Sequence, residues 1–206
     1  MIAEDLFDLV PVVPVVVLDD AGAAVPLARA LVEGGLPVIE VTLRTPSALE
    51  AITRIAAEVP DAVVGAGTVV RPEDAERSAA AGAGFLVSPG CTPRLQAAMT
   101  ATGLPFLPGV ATASEAIALL EGGITAMKFF PAEAAGGTAY LKSLGGPLPQ
   151  VRFCPTGGVS RRNAAEYLAL ENVGCVGGSW LTPADAVRDG DWDRIRELAS
   201  EAAALR

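Results

Sequence analysis

The sequence predicts an α/β protein folded as a single (β/α)8 barrel of the TIM type, with a short N-terminal helix. Four observations predict it. Eight apolar segments alternate with helix-like ones, starting near residues 12, 36, 62, 84, 104, 124, 151 and 173. Those starts lie 20 to 27 residues apart, the length of one minimal βα unit. The segments read as continuous apolar runs, as parallel strands buried on both faces do. Glycine and polar residues gather at their C-terminal ends, while the helix-to-strand joints are plainer. A doubly wound sheet also alternates strands and helices. Eight near-equal repeats with no second domain favour the barrel. Residues 1–206 are expected to form one domain, near the lower end of barrel size.

Each element has its own justification. Residues 1–9 carry Ile2, Leu6 and Leu9 on one side of a short helix. Residues 12–17 are a β-branched run, expected as a strand although Pro14 conflicts with the exclusion of proline from central strands. Asp20 can N-cap a helix over 21–33, striped by Leu27, Ala30 and Leu31; Pro26 should distort its early turns and Gly34-Gly35 end it. Strand and helix pairs then follow at 36–42 and 46–58, 62–66 and 72–81, 84–87 and 93–101, and 104–107 and 113–121. They continue at 124–129 with a helix within 134–144, and at 151–154 with 161–169. The eighth strand is expected at 173–176. Thr182-Pro183 offers a cap and a first-turn proline to a short helix, and residues 192–205 place Trp192, Ile195, Leu198, Ala199 and Ala202 on one face.

Composition narrows the function. Half of the chain is apolar, which suits a packed core. The net charge is −9 and no basic cluster exceeds Arg161-Arg162, so a nucleic-acid partner is not expected. No apolar stretch reaches the roughly 20 residues of a membrane span, so no membrane partner is expected. The acidic N-terminus lacks the basic region of a signal peptide. Cys91, Cys154 and Cys175 lack metal or redox spacing. A cytoplasmic protein with free thiols, no metal and no cofactor is expected.

A barrel concentrates its chemistry at the C-terminal ends of its strands. The chain has no histidine and two lysines, Lys128 and Lys142. Lys128 ends an apolar run and precedes Phe129-Phe130-Pro131, an unusual place for a cation. In water a lysine ammonium is protonated; burial disfavours its charge, and a neutral amine can add to a ketone as a Schiff-base nucleophile. The bland reading is an ion pair with Glu40. Glu40 itself interrupts the run Val38, Ile39, Val41, where an acid is costly unless paired or useful. Without histidine, a carboxylate is the natural proton shuttle. Arg44 could fork onto a substrate carboxylate, or be a surface arginine. Thr156-Gly157-Gly158 and Gly177-Gly178-Ser179 fall after strands seven and eight, the common phosphate site of barrels. A lone Gly-Gly is usually just a turn. Gly65-Ala66-Gly67-Thr68 lacks the third glycine and the context of a dinucleotide fingerprint.

These motifs together resemble the 2-keto-3-deoxy-6-phosphogluconate (KDPG) and 4-hydroxy-2-oxoglutarate (KHG) aldolase family. The resemblance rests on Glu40-Val41-Thr42-Leu43-Arg44-Thr45, Gly65-Ala66-Gly67-Thr68-Val69, Ser88-Pro89-Gly90 and Lys128-Phe129-Phe130-Pro131-Ala132. Arg152-Phe153-Cys154-Pro155-Thr156-Gly157-Gly158 and Gly177-Gly178-Ser179-Trp180 complete it. It spans almost the whole chain, in order. It implies a metal-independent class I aldolase on a (β/α)8 barrel, a homotrimer, splitting KDPG into pyruvate and glyceraldehyde 3-phosphate in the Entner–Doudoroff pathway. The C4-epimeric phosphogalactonate and 4-hydroxy-2-oxoglutarate are alternative substrates. It makes Lys128 the Schiff-base lysine and Glu40 the acid/base. It assigns the pyruvate half to Arg44, Thr68, Pro89 and Phe130, and the phosphate to Thr156, Gly157, Gly158, Gly178 and Ser179. Two rivals stand beside it: a sugar-phosphate isomerase or epimerase barrel that needs no imine, and a silent barrel whose lysine only pairs with Glu40.

Overall fold

A computed structural model describes residues 2–205. Met1 of the expected first helix and Arg206 of the expected domain lie outside the described residues. The chain runs α1 (Asp5–Leu9), β1 (Val12–Val16), a 3-10 turn (Ala21–Ala23), α2 (Ala24–Glu33), β2 (Val38–Thr42), α3 (Ala48–Glu58), β3 (Val63–Gly67) and α4 (Pro72–Ala80). It continues with β4 (Phe85–Val87), α5 (Pro93–Ala101), β5 (Phe106–Leu107), β6 (Gly109–Val110), α6 (Ala113–Glu121), β7 (Ala126–Phe129) and α7 (Gly137–Gly145). Last come β8 (Arg152–Pro155), α8 (Ala164–Leu168), β9 (Val176–Gly178), α9 (Ala184–Asp189) and α10 (Trp192–Ala203).

The strands form a curled six-stranded sheet in the order β5-β4-β3-β2-β1-β9 and a three-stranded sheet β6-β7-β8. Every ladder pairing is parallel. The expected fifth strand, 104–107, is therefore replaced by two short pieces on either side of Pro108. A proline has no N–H for a ladder, so pairing breaks there: β5 pairs with β4, and β6 with β7. The two sheets approach again on the far side through isolated parallel bridges, Phe153 with Val173 and Thr156 with Gly177.

Local chemistry explains the other boundary shifts. Pro26 lies in the first turn of α2, where a backbone N–H has no helical partner anyway. The expected helix 21–33 accordingly starts with a 3-10 turn, whose N-cap Asp20 accepts from Gly22 N. The expected helix 161–169 shrinks to Ala164–Leu168 because the Asn163 side chain accepts from Ser160 N at 2.7 Å and closes a turn before it. The eighth strand lies C-terminal to its expected place. Val176 N donates to Pro11 O, and Gly177 and Gly178 become ladder residues opposite Val13 and Pro14. Pro14 is tolerated because β1 pairs with β9 over Val12–Pro14 and with β2 only from Val15 onward.

Apolar burial holds these layers. Phe129, Phe153 and Tyr167 are fully buried, each stabilising by about 1.5–3 kcal/mol. Phe129 stacks on Tyr140 and meets Phe153 edge-on. At the N-terminal ends of β7 and β8, α1 buries Leu6 and Phe7, sets Phe7 under the Arg152 guanidinium, and lends Glu4 to the Thr125 hydroxyl. The opposite, C-terminal ends of the strands are left for chemistry.

Candidate active site

Glu40 is the central residue of β2 and Lys128 the third residue of β7. Alternation along β2 separates Glu40 from Ile39 and Val41, so one strand serves two faces. Lys128 Nζ donates to Glu40 Oε1 at 3.1 Å and to Oε2 at 3.4 Å. Both side chains are buried, 6% and 4% exposed. Buried together, the amine and the carboxylate offset part of each other's cost of leaving water. The Phe130 ring centroid lies 5.5 Å from Nζ, within reach of a cation–π attraction.

The neighbouring strand makes room for this pair. A side chain at Gly67, the last residue of β3, would have its Cβ 2.1 Å from Glu40 Oε1. Only glycine lets the carboxylate lean there. In the sequence Gly67 stands only as part of the Gly65-Ala66-Gly67-Thr68-Val69 motif, with no role of its own. Its place on the strand beside Glu40 was the signal that could have found it. The following residue, Thr68, has φ +60°, a left-handed conformation that costs a β-branched residue about 1–3 kcal/mol. In that conformation its Oγ1 accepts from Arg44 Nε at 3.3 Å. Thus the two residues expected to hold a carboxylate meet each other at the ends of β2 and β3.

Pro89 packs its backbone against Gly109, the ladder partner of Lys128. Ser88 before it, which sequence reasoning quoted but gave no role, is buried and accepts from Gly109 N at 3.2 Å. Phe130 also touches the turn at Gly157. The Thr156–Gly177 bridge brings the two glycine segments together. Gly157 and Gly158 have φ +96° and +82°, values that favour glycine. Gly178 is a strand residue, and Ser179 is the first residue beyond β9.

A cavity of about 870 Å³ opens beside Ser179, with Val15, Val17, Asp19, Asp20 and Trp192 in its wall. Glu40 and Lys128 are not in that wall; the buried pair lies apart from it. Among the described residues, no group of three or more His, Cys, Asp or Glu side chains is placed to hold a metal ion. None of the described helices is long and apolar enough to cross a membrane. Chemically, the site offers an amine and a carboxylate in hydrogen-bond contact, an arginine at the rim and a glycine turn.

Comparison with known proteins follows the same lines. Residues 3–198 match the family model described as KDPG and KHG aldolase. The 2-dehydro-3-deoxy-phosphogluconate aldolase of Pseudoalteromonas atlantica is 53% identical over 98% of this chain and 94% of its own length. The KHG/KDPG aldolase of Escherichia coli K12 is 52% identical, over 97% of this chain and 94% of its own. The structure of KDPG aldolase from Legionella pneumophila, with pyruvate captured at low pH as a covalent carbinolamine intermediate, matches with a TM-score of 0.96. It is 45% identical, and 98% of each chain is covered. The Zymomonas mobilis ZM4 enzyme with 3-phosphoglycerate has a TM-score of 0.93 and 47% identity, over 99% of this chain and 96% of its own.

Proposed function

The chain belongs to the KDPG and KHG aldolase family, and from that premise we propose that Lys128 and Glu40 run a class I aldol cleavage of 2-keto-3-deoxy-6-phosphogluconate. The enzyme is a carbon–carbon lyase. Its products are pyruvate and glyceraldehyde 3-phosphate, and 4-hydroxy-2-oxoglutarate is a second substrate. The observation that carries the reading is the 3.1 Å contact between a buried amine and a buried carboxylate. A general base must lie within such reach of the proton it moves, directly or through one water.

Glu40 draws a proton from Lys128, the freed amine adds to the C2 ketone, and the carbinolamine hydroxyl leaves as water with a proton returned by Glu40, giving a protonated imine. Glu40 takes the C4 hydroxyl proton through a water. The C3–C4 bonding pair flows toward the iminium nitrogen, and the aldehyde departs. The enamine left behind takes a proton at C3, delivered by Glu40. Water then hydrolyses the imine, releasing pyruvate and restoring the amine. Arg44 and Thr68 hold the substrate carboxylate, and Pro89 and Phe130 wall the pyruvate half.

The phosphate goes to Thr156, Gly157, Gly158, Gly178 and Ser179. Backbone geometry supports that assignment. Ala132 N, Glu133 N and Asn163 Nδ2 bind the carbonyls of Thr156, Gly157 and Gly158 in turn. A trans peptide points its N–H opposite its carbonyl, so the Gly158 N–H faces away from Glu133, as in an anion-binding nest. We propose further that the two sheets complete a closed (β/α)8 barrel, supported by chain continuity across Pro108 and by the two bridges between β8 and the β9 segment. A cytoplasmic homotrimer completes the reading.

Borohydride reduction in the presence of pyruvate should add one N-(1-carboxyethyl) group at Lys128, located by peptide mass spectrometry, and a chelator should leave activity intact. No adduct at Lys128 would overturn the imine mechanism and favour a barrel isomerase.

A further inference from the structure

We infer that Glu133 and Tyr167, which take no part in bond making, are positioning residues that fix the Gly157–Gly158 turn and so set the preference for phosphorylated over unphosphorylated substrate. The inference rests on the proposed anion role of that turn.

Three contacts converge on Glu133. Its backbone N donates to Gly157 O at 3.0 Å, holding the peptide whose far side presents the Gly158 N–H. Its stem lies under the turn: a Cβ on Gly158 would sit 2.5 Å from Glu133 Cγ. Its carboxylate Oε1 accepts from the Tyr167 hydroxyl.

Tyr167 is fully buried on α8, and this bond is its polar anchor. Burial, reinforced by the Glu133 carboxylate, pushes the phenol well above its ordinary range, so the hydroxyl stays a donor. Asn163, the N-cap of α8, donates to Gly158 O at 3.3 Å. One short helix therefore grips the turn twice: directly through Asn163, and through Tyr167 by way of Glu133. Lys128 and Glu40 make no hydrogen bond to this network. Loosening it should cost phosphate binding while leaving imine chemistry in place.

The test compares wild type, Tyr167→Phe, Glu133→Ala and Glu133→Gln on KDPG and on 4-hydroxy-2-oxoglutarate. Tyr167→Phe keeps the buried ring and removes only the donor. It should raise KM for KDPG by about tenfold, the size of one lost hydrogen bond to a charged group. Its kcat, its KM for 4-hydroxy-2-oxoglutarate and its borohydride trapping with pyruvate should stay at wild-type values. Competitive inhibition by inorganic phosphate should weaken in parallel. Glu133→Ala should behave likewise, and Glu133→Gln, which keeps the stem and an acceptor, should recover most of the affinity. Equal losses on both substrates would overturn the inference by showing a merely structural role. Unchanged KDPG kinetics in Tyr167→Phe and Glu133→Ala, with a wild type inhibited by phosphate, would overturn it alone. A wild type indifferent to phosphate would overturn the anion role of the turn, and this inference with it.

Discussion

Lys128 and Glu40 each make the other's burial tolerable, and that coupling governs what substitution does. A buried carboxylate without its amine is an uncompensated charge, an outcome that costs about 3–5 kcal/mol. Glu40→Gln removes the amine's charged partner in turn, but keeps the shape and an acceptor oxygen beside Lys128 Nζ. It should lose some stability by urea unfolding and about 10²–10⁴ in kcat, the usual worth of a positioned acid/base. Prolonged incubation with pyruvate and borohydride should still label Lys128, because the amine remains. A Glu40→Gln enzyme with wild-type kcat would show that another group moves the proton. The strain at Thr68 belongs to this scale too. A β-branched residue held at φ +60° keeps its hydroxyl on Arg44, and the strand ends that carry both residues must supply the restraint.

Among the elements, α6 shows how local sequence secures the rim. It follows β6, whose Gly109 pairs with Lys128. Thr112 and Glu115 form a capping box: Thr112 Oγ1 accepts from Glu115 N at 3.3 Å, and the Glu115 carboxylate accepts from Ala111 N at 2.8 Å and Thr112 N at 2.9 Å. These bonds, the Ala111 N–H first, hold the Glu115 carboxyl below its ordinary range. A carboxyl lowered on folding stabilises the protein above the unfolded-state range, and that contribution fades as pH falls through the folded value. Glu115→Ala, which removes the carboxylate arm of the capping box, should cost about 1 kcal/mol at pH 7, measured by urea unfolding. The gap to wild type should narrow on acidification to pH 3. A gap that stays constant would assign the loss to packing instead of the charged cap.

At the scale of the whole molecule, the chain divides its two ends. α1 packs at the N-terminal ends of β7 and β8 through Phe7, Glu4 and Asp8, with Asp8 Oδ1 3.7 Å from an Arg152 guanidinium nitrogen. The reactive groups gather at the other end. Assembly is the remaining property at this scale. Sedimentation should report three chain masses per particle at micromolar concentration. A fully active particle of one chain mass would remove the trimer from the proposed function.

The sequence by itself determined the repeat, the residue types and the suspicion attached to Lys128. Those are one-dimensional properties: the spacing of apolar runs, a lone cation beside Phe129 and Phe130, an acid among Val38, Ile39 and Val41. Most strand centres were legible for the same reason, while ends were not, because Pro108 and the β9 register answer to neighbouring strands. Only the tertiary structure decided that Lys128 and Glu40, 88 residues apart, touch. It alone showed that Gly67 leaves the carboxylate its room and that Tyr167 reaches Glu133 beneath the glycine turn. Each of these depends on register between parallel strands or on a helix packed over them. A shift of one residue reverses the face of every side chain along a strand, so contacts of this kind are fixed by packing rather than by local preference.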